Sequence, residues 1–290
     1  MKTYKTYPQK AFLAMIAIFL ILLSNAAIAD EKIKLISYGG PGGIFYGALE
    51  ALSQVESDKI NKQVTRMGSC AEIANYAKNT DNPMVTTWEV QGAFQDNNHP
   101  CNLVSDESFI TLIGQAYWNF CRIPDSGEDG IKDLKGDVRV GVFEGPQFKF
   151  IANTLLSGIG SSGRSVPYSS VSDYKAALVV GEIDYILTTM DEPDMECVLT
   201  TNPDSTQIEN SVSDFYTGPF HDASYTIAIL GFNVNREEIK GLFSEAIKTD
   251  EWKNGVGKRY TPDIVQQSTE DQYKFISNYE SKMADKIFND

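Results

Sequence analysis

The sequence predicts an α/β protein. Short β-prone runs alternate with amphipathic helical segments, and the joints between them are rich in Gly, Pro and Ser. The first joint sets the pattern. Ile33–Tyr38 reads as a strand and "GGPGG" at 39–43 as a turn, after which Phe45, Ala48, Leu49, Leu52 and Val55 recur at helical spacing. A glycine loop entering a helix N-terminus leaves free N–H groups and a positive dipole end, a seat for an anion. The same glycines also suit a tight turn that needs positive φ, and both readings stay open.

The following elements repeat this scheme. Gln63–Arg66 is a short strand, Met67-Gly68 a turn, and Ser69-Cys70-Ala71-Glu72 a capping box that starts a helix at Ser69. Met84–Trp88 reads as the next strand. A second group begins after Cys121. There Val138–Phe143 is a strand, Glu144-Gly145-Pro146 the turn, and Phe148, Ile151 and Leu155 one face of a helix. Val166–Tyr168 leads into Ser170-Val171-Ser172-Asp173, a second capping pattern, whose helix carries Tyr174, Ala177 and Leu178 and stops at Gly181. Ile183–Leu187 follows as a strand.

The tail is helical. Asn235 caps a helix with Ile239, Leu242, Phe243, Ala246 and Ile247 on one face, and Ser268 caps a last one with Tyr273, Ile276, Tyr279, Met283 and Ile287. These stripes are core-facing surfaces. If the two strand–helix groups face one another, the turns at 39–43, 67–69, 144–146 and 168–172 line a shared cleft, because ligands of open α/β sheets collect at strand carboxyl ends.

The first 29 residues stand apart. Lys2, Lys5 and Lys10 precede an unbroken apolar run from Ala11 to Leu23, and Ala27-Ile28-Ala29 fits a small-x-small cleavage site. This is the pattern of a secretory signal peptide, with a mature chain starting at Asp30. An uncleaved anchor is the alternative, although thirteen apolar residues are short for a span of about 20. Removing the leader leaves 22 basic against 39 acidic side chains, a net charge of −17. Nucleic acid is therefore excluded as an expected partner. Cys70, Cys101, Cys121 and Cys197 in an exported chain predict two disulfides, with buried free thiols as the alternative.

Catalytic signals are sparse. His99 and His221 sit in polar loops, and "NNHPC" at 97–101 lacks companions that would complete a metal site. Cys70 at a helix start could be an activated thiol paired with His99, but a disulfide explains it more simply. No G-x-S-x-G, H-E-x-x-H or P-loop occurs, and GGPGG fails the dinucleotide fingerprint because Phe45 stands at its third glycine position. The residues favour binding without turnover, with no cofactor and no metal.

In order and spacing, the mature chain resembles the extracytoplasmic receptors of the tripartite tricarboxylate transporters, the Bug-type solute-binding proteins. The resemblance is carried by "IKLISYGGPGGIFYGALEAL", "VTRMGSCAEIANYAK", "DNPMVTTWE", "VPYSSVSDYKAALVVGEIDYIL" and the helix–turn–helix ending. It implies a type II periplasmic binding fold: two α/β domains with a ligand cleft at the hinge. The first domain would span 30–120, completed by 225–290, and the second 121–224. It further implies a periplasmic receptor, a monomer, that captures a small organic anion, a carboxylate, for membrane transporter subunits. The implied ligand-binding loops are Gly40, Pro41, Gly42, Gly43 and Ile44; Gly68, Ser69 and Cys70; Thr86, Thr87 and Trp88; Glu144, Gly145 and Gln147; Tyr168, Ser169 and Ser170; and Thr188 with Thr189. Disulfides that stay within one part of the resemblance pair Cys70 with Cys101 and Cys121 with Cys197. Two departures bear on the substrate: Ser69–Glu72 replaces a glycine-rich turn, and Glu144 puts an acid where the family has small or polar residues. A TRAP-type receptor, and a sensory or interaction protein that keeps the fold, are the other readings.

Overall fold

The computed structural model describes residues 32–37, 39–41, 43–90, 103–124, 130–144, 146–189, 194–258, 260 and 262–289. The leader, Gly42, His99, Cys101 and Gly145 lie outside the described residues. In chain order the first elements are β1 (Ile33–Ser37), α1 (Ile44–Gln54), β2 (Ile60–Arg66), α2 (Cys70–Asn79), β3 (Met84–Glu89), β4 (Phe109–Tyr117) and β5 (Asn119–Arg122). Then come α3 (Gly130–Leu134), β6 (Arg139–Phe143), α4 (Pro146–Gly158), β7 (Arg164–Tyr168), α5 (Val171–Val179), β8 (Tyr185–Thr188) and β9 (Glu196–Thr200). β10 (Ser224–Phe232), α6 (Arg236–Ala246), α7 (Asp250–Asn254) and α8 (Thr269–Asn289) close the chain.

These strands form two five-stranded sheets of the same layout, β2-β1-β3-β10-β4 and β7-β6-β8-β5-β9. In each, a parallel trio is extended by two antiparallel strands. The helix starts follow the sequence signals. Ser69 Oγ accepts from the Glu72 N–H at 3.2 Å, and Glu72 reaches back to the Gly68 N–H at 2.7 Å. Ser170 accepts from the Asp173 N–H, and Asn235 from the Glu238 N–H. Each cap satisfies a donor that the helix leaves unpaired.

The chain passes from one sheet to the other at Trp118, between β4 and β5, and returns through residues 201–223. The two passages are tied by one buried threonine. Thr201 Oγ1 accepts from the Trp118 N–H at 2.9 Å and donates to the Ala223 carbonyl at 2.6 Å, while the Thr201 N–H donates to the Trp118 carbonyl at 2.8 Å. This knot fixes the strands that run between the sheets.

β4 is the edge of its sheet, and α8 covers that edge. Thr269 donates its hydroxyl to the Ile110 carbonyl at 2.9 Å, and Gln272 Oε1 accepts from the Leu112 N–H at 2.7 Å. Two helical side chains thus do for the edge what a sixth strand would do. In the second sheet Cys121 and Cys197 face each other across β5 and β9 and form a disulfide, as the resemblance implies. Cys70 is also disulfide-bonded, so a thiol nucleophile there is ruled out; Cys101, proposed as its partner, lies outside the described residues.

One surface pair carries a pH dependence. Asp184 accepts from Arg139 Nη2 at 2.9 Å and from its backbone N–H at 2.8 Å, and these bonds hold the carboxyl below the usual Asp range. A lowered folded pKa stabilises above the unfolded value of about 4 and is lost as pH falls through the folded one. Asp184→Asn is therefore expected to be less stable than the parent at neutral pH. In urea denaturation the difference should shrink below about pH 4. Both side chains are substantially exposed, so the effect is modest.

Candidate ligand cleft

The parallel strands of both sheets end at a common opening, and a cavity of about 270 Å³ lies there. Its wall is assembled from the ends of separate elements. The first sheet contributes Ile44 and Phe45 from the first turn of α1, Glu89 from the last position of β3, and Tyr225 and Ile227 from β10. Glu89 and Ile227 are register partners in an antiparallel pair, so their side chains lie on one face of the sheet. Trp118 contributes from the passage between sheets. The second sheet supplies Phe143 at the end of β6, Phe148 from α4, Tyr174 from α5, Leu187 and Thr188 from β8, and Thr189 just beyond.

The wall is strongly aromatic. Trp118 meets Phe148 and Tyr225 edge-on at 5.7 Å in each case, and Phe143 meets Phe148 edge-on at 5.5 Å. Such edge-to-face contacts are favourable and hold the rings in fixed planes. Among the described lining residues Glu89 is the acid, and none is Lys, Arg or His. A second, polar cavity of about 200 Å³ lies beside it, with Tyr117 and Asn119 among its lining. These residues flank Trp118, so strand alternation sends the indole to one chamber and its neighbours to the other. Burial, followed by Asp204, Asp222 and Asp263, raises the pKa of Tyr117.

Of the residues expected from the sequence, Ile44, Thr188 and Thr189 line the aromatic cavity. Gly40, Pro41 and Gly43 form the turn leading into α1, and the Gly43 N–H donates to the Gly40 carbonyl at 3.1 Å. Gly39 packs so close that an added Cβ would stand 3.0 Å from Phe45 Cβ, which accounts for one glycine by close approach. The N-cap of α1 is Gly43, which offers no side-chain cap, and no acid sits in the first turn of the helix. Thr87 donates its hydroxyl to the Phe45 carbonyl at 2.9 Å, while Thr86 and Trp88 are buried in the sheet.

Other expected positions are not among the described lining residues. Gly68, Ser69 and Cys70 start α2, where the cap is closed on itself. Glu144 is exposed, and its N–H donates to the Tyr168 carbonyl at 2.7 Å. Tyr168 reaches Glu182 and Ser169 reaches Asp173, while Ser170 caps α5. Gln147 lies in the first turn of α4, with its side chain outside the described residues. Glu89, Trp118, Tyr225 and Ile227 line the cavity without having been singled out from the sequence. One signal was available for Glu89: it directly follows Trp88, at the carboxyl end of a strand.

No protein-family model matches the sequence, and no curated protein sequence does either. Solved structures do match. The periplasmic binding protein BugD superposes with a TM-score of 0.64 at 9% identity, covering 88% of this chain and 95% of that one. A TctC solute binding protein from Polaromonas gives 0.64 at 10% identity, covering 91% and 99%. R. palustris Rpa4515 with adipate gives 0.62 at 12% identity, covering 90% and 98%. The chain has the fold of Bug- and TctC-type periplasmic binding proteins. This agrees with the fold implied by the Bug-type resemblance. At these identities the likeness fixes the Bug-type fold and leaves the ligand to the site itself. Among the described residues no helix is long and apolar enough to cross a membrane, and no cluster of His, Cys, Asp or Glu could hold a metal.

Proposed function

We propose that the protein is an exported receptor that captures a small organic acid between its two sheets and hands it to a membrane transporter. The carrying observation is the cavity itself. It is walled by both sheets at the carboxyl ends of their parallel strands, where a ligand would be gripped from two sides. A ligand that touches both sheets favours their approach, and this differential affinity is what a receptor needs to signal its loaded state. The carboxylate is seated at the first turn of α1, whose N-cap is Gly43, a residue with no side chain to occupy the helix N–H groups. The signal peptide delivers the chain to the periplasm, and the receptor acts as a monomer.

Thr189→Trp tests this reading. Thr189 is half-buried on the cavity wall, and an indole there fills the space the ligand takes. Titration calorimetry with the solute recovered from the purified protein should show one site in the parent and at least a tenfold loss in the variant. Unchanged affinity would put binding elsewhere. A fold kept for sensing would still bind the solute, yet transport in cells would not depend on the protein.

A further inference from the structure

We propose that the polar chamber beside the aromatic cavity is a second binding site, which takes a polyhydroxylated molecule the size of one sugar ring. Its wall begins along one stretch of chain. Gln115, Tyr117 and Asn119 alternate with Ala116 and Trp118 through the crossing from β4 to β5, so they share a face, and all three line the chamber. Thr200 is the register partner of Asn119 on β9 and joins them on the wall. Asn202 and Gln207 are added from the passage that returns to the first sheet. The chamber is thus built from both sheets and both passages between them. At about 200 Å³ it falls below the range of about 300–1,000 Å³ that holds drug-sized ligands, so its occupant is small.

The side chains present select hydroxyls. Gln115, Asn119, Asn202 and Gln207 are amides, and each amide carries an acceptor and two donors in one plane. A hydroxyl also donates and accepts, so neighbouring hydroxyls on a ring engage both halves of such groups. A carboxylate only accepts and an ammonium only donates, and either leaves half of each amide unmatched. Asn119 sharpens the choice. Its Oδ1 is buried without a hydrogen-bond partner among the described residues. An acceptor so placed calls for a donor, which a hydroxyl supplies and a carboxylate cannot. Lys258 also lines the chamber, from an exposed position, and its ammonium donates to a hydroxyl as well as to an anion. An occupant bonded on both sides of the crossing braces it.

Saturation-transfer NMR and titration calorimetry with D-glucose, D-galactose and myo-inositol test this site. At least one ring is expected to bind with a Kd of about 1 mM or tighter and to raise the melting temperature. Excess succinate, an acceptor-only probe, should not displace it. Asn119→Leu should weaken the ring at least tenfold while keeping the parent's melting temperature, because the amide oxygen it removes bonds nothing among the described residues. Gln207 is exposed, so Gln207→Ala removes an amide without touching the core and should weaken the ring severalfold. Phe143→Ala, on the wall of the aromatic cavity, should leave ring binding unchanged. Binding of none of the three rings would mean that the chamber holds water alone, and the inference falls. Displacement by succinate, or loss of the ring in Phe143→Ala but not in Asn119→Leu, would put the ring in the aromatic cavity and overturn it equally. The receptor reading survives each of these results, because it rests on the other chamber.

Discussion

Trp118→Ala is expected to destabilise the protein by about 4 kcal/mol and to abolish ligand binding, the largest effect of any single substitution in the cleft. Trp118 is 4% exposed, so its removal leaves a void in a packed wall. The wall loses two edge-to-face contacts, with Phe148 and Tyr225, each of which contributes about 1 kcal/mol beyond area burial. The backbone of the same residue is bonded to Thr201 where the chain crosses between sheets. Loss of the indole therefore loosens the cavity and the crossing at one point. The melting temperature should fall by about 10 °C for a chain of this size. Trp118→Phe is the control. The indole Nε1 is buried with no hydrogen-bond partner among the described residues, so losing that N–H breaks no bond, while a ring is kept. Differential scanning calorimetry should find Trp118→Phe much closer to the parent than to Trp118→Ala. Equal losses would show that ring packing is not what the site depends on.

Gln272→Leu is expected to destabilise by about 3 kcal/mol without altering the cavity lining. Gln272 is fully buried, and its amide is used at both ends. Oε1 accepts from the Leu112 N–H at 2.7 Å and from the Thr111 hydroxyl at 3.0 Å, while Nε2 donates to the Gln267 carbonyl at 3.0 Å. Leucine fills a similar volume but leaves the Leu112 N–H buried and unpaired, an orphan that costs about 1–3 kcal/mol, and removes one partner each from the Thr111 hydroxyl and the Gln267 carbonyl. Unfolding in guanidinium should show a lower midpoint with an unchanged slope. Hydrogen exchange should accelerate at the Leu112 amide, where the edge of β4 loses its cover. A parent-like midpoint would mean that α8 is held by its apolar face alone.

Much of the outer fold was legible because local chemistry specified it. Ser69, Ser170 and Asn235 mark helix starts by offering an oxygen to a first-turn N–H, and all three do so here. The long strands β10 and β4 were less legible. Nearly all of β10 and most of β4 are buried, and such strands show no alternation of apolar and polar residues. Their sequences, "SYTIAILGF" and "FITLIGQAY", read as apolar runs without a direction. The cleft suffered for the same reason. Glycine turns drew attention to loop positions, whereas Trp118, Tyr225 and Ile227 reach the cavity from the strands that join the sheets. Strand pairing brings Glu89 opposite Ile227, more than a hundred residues away, and no local pattern reports that contact.

The most direct measurement of the central claim is mass spectrometry of whatever solute leaves the protein on denaturation after gentle purification from the periplasm. The account predicts one small organic acid, released intact at up to one per chain, that rebinds with an increase in melting temperature because only the folded protein holds it. Recovery of a chemically altered solute after rebinding, or a rebound solute whose affinity Thr189→Trp leaves untouched, would contradict it.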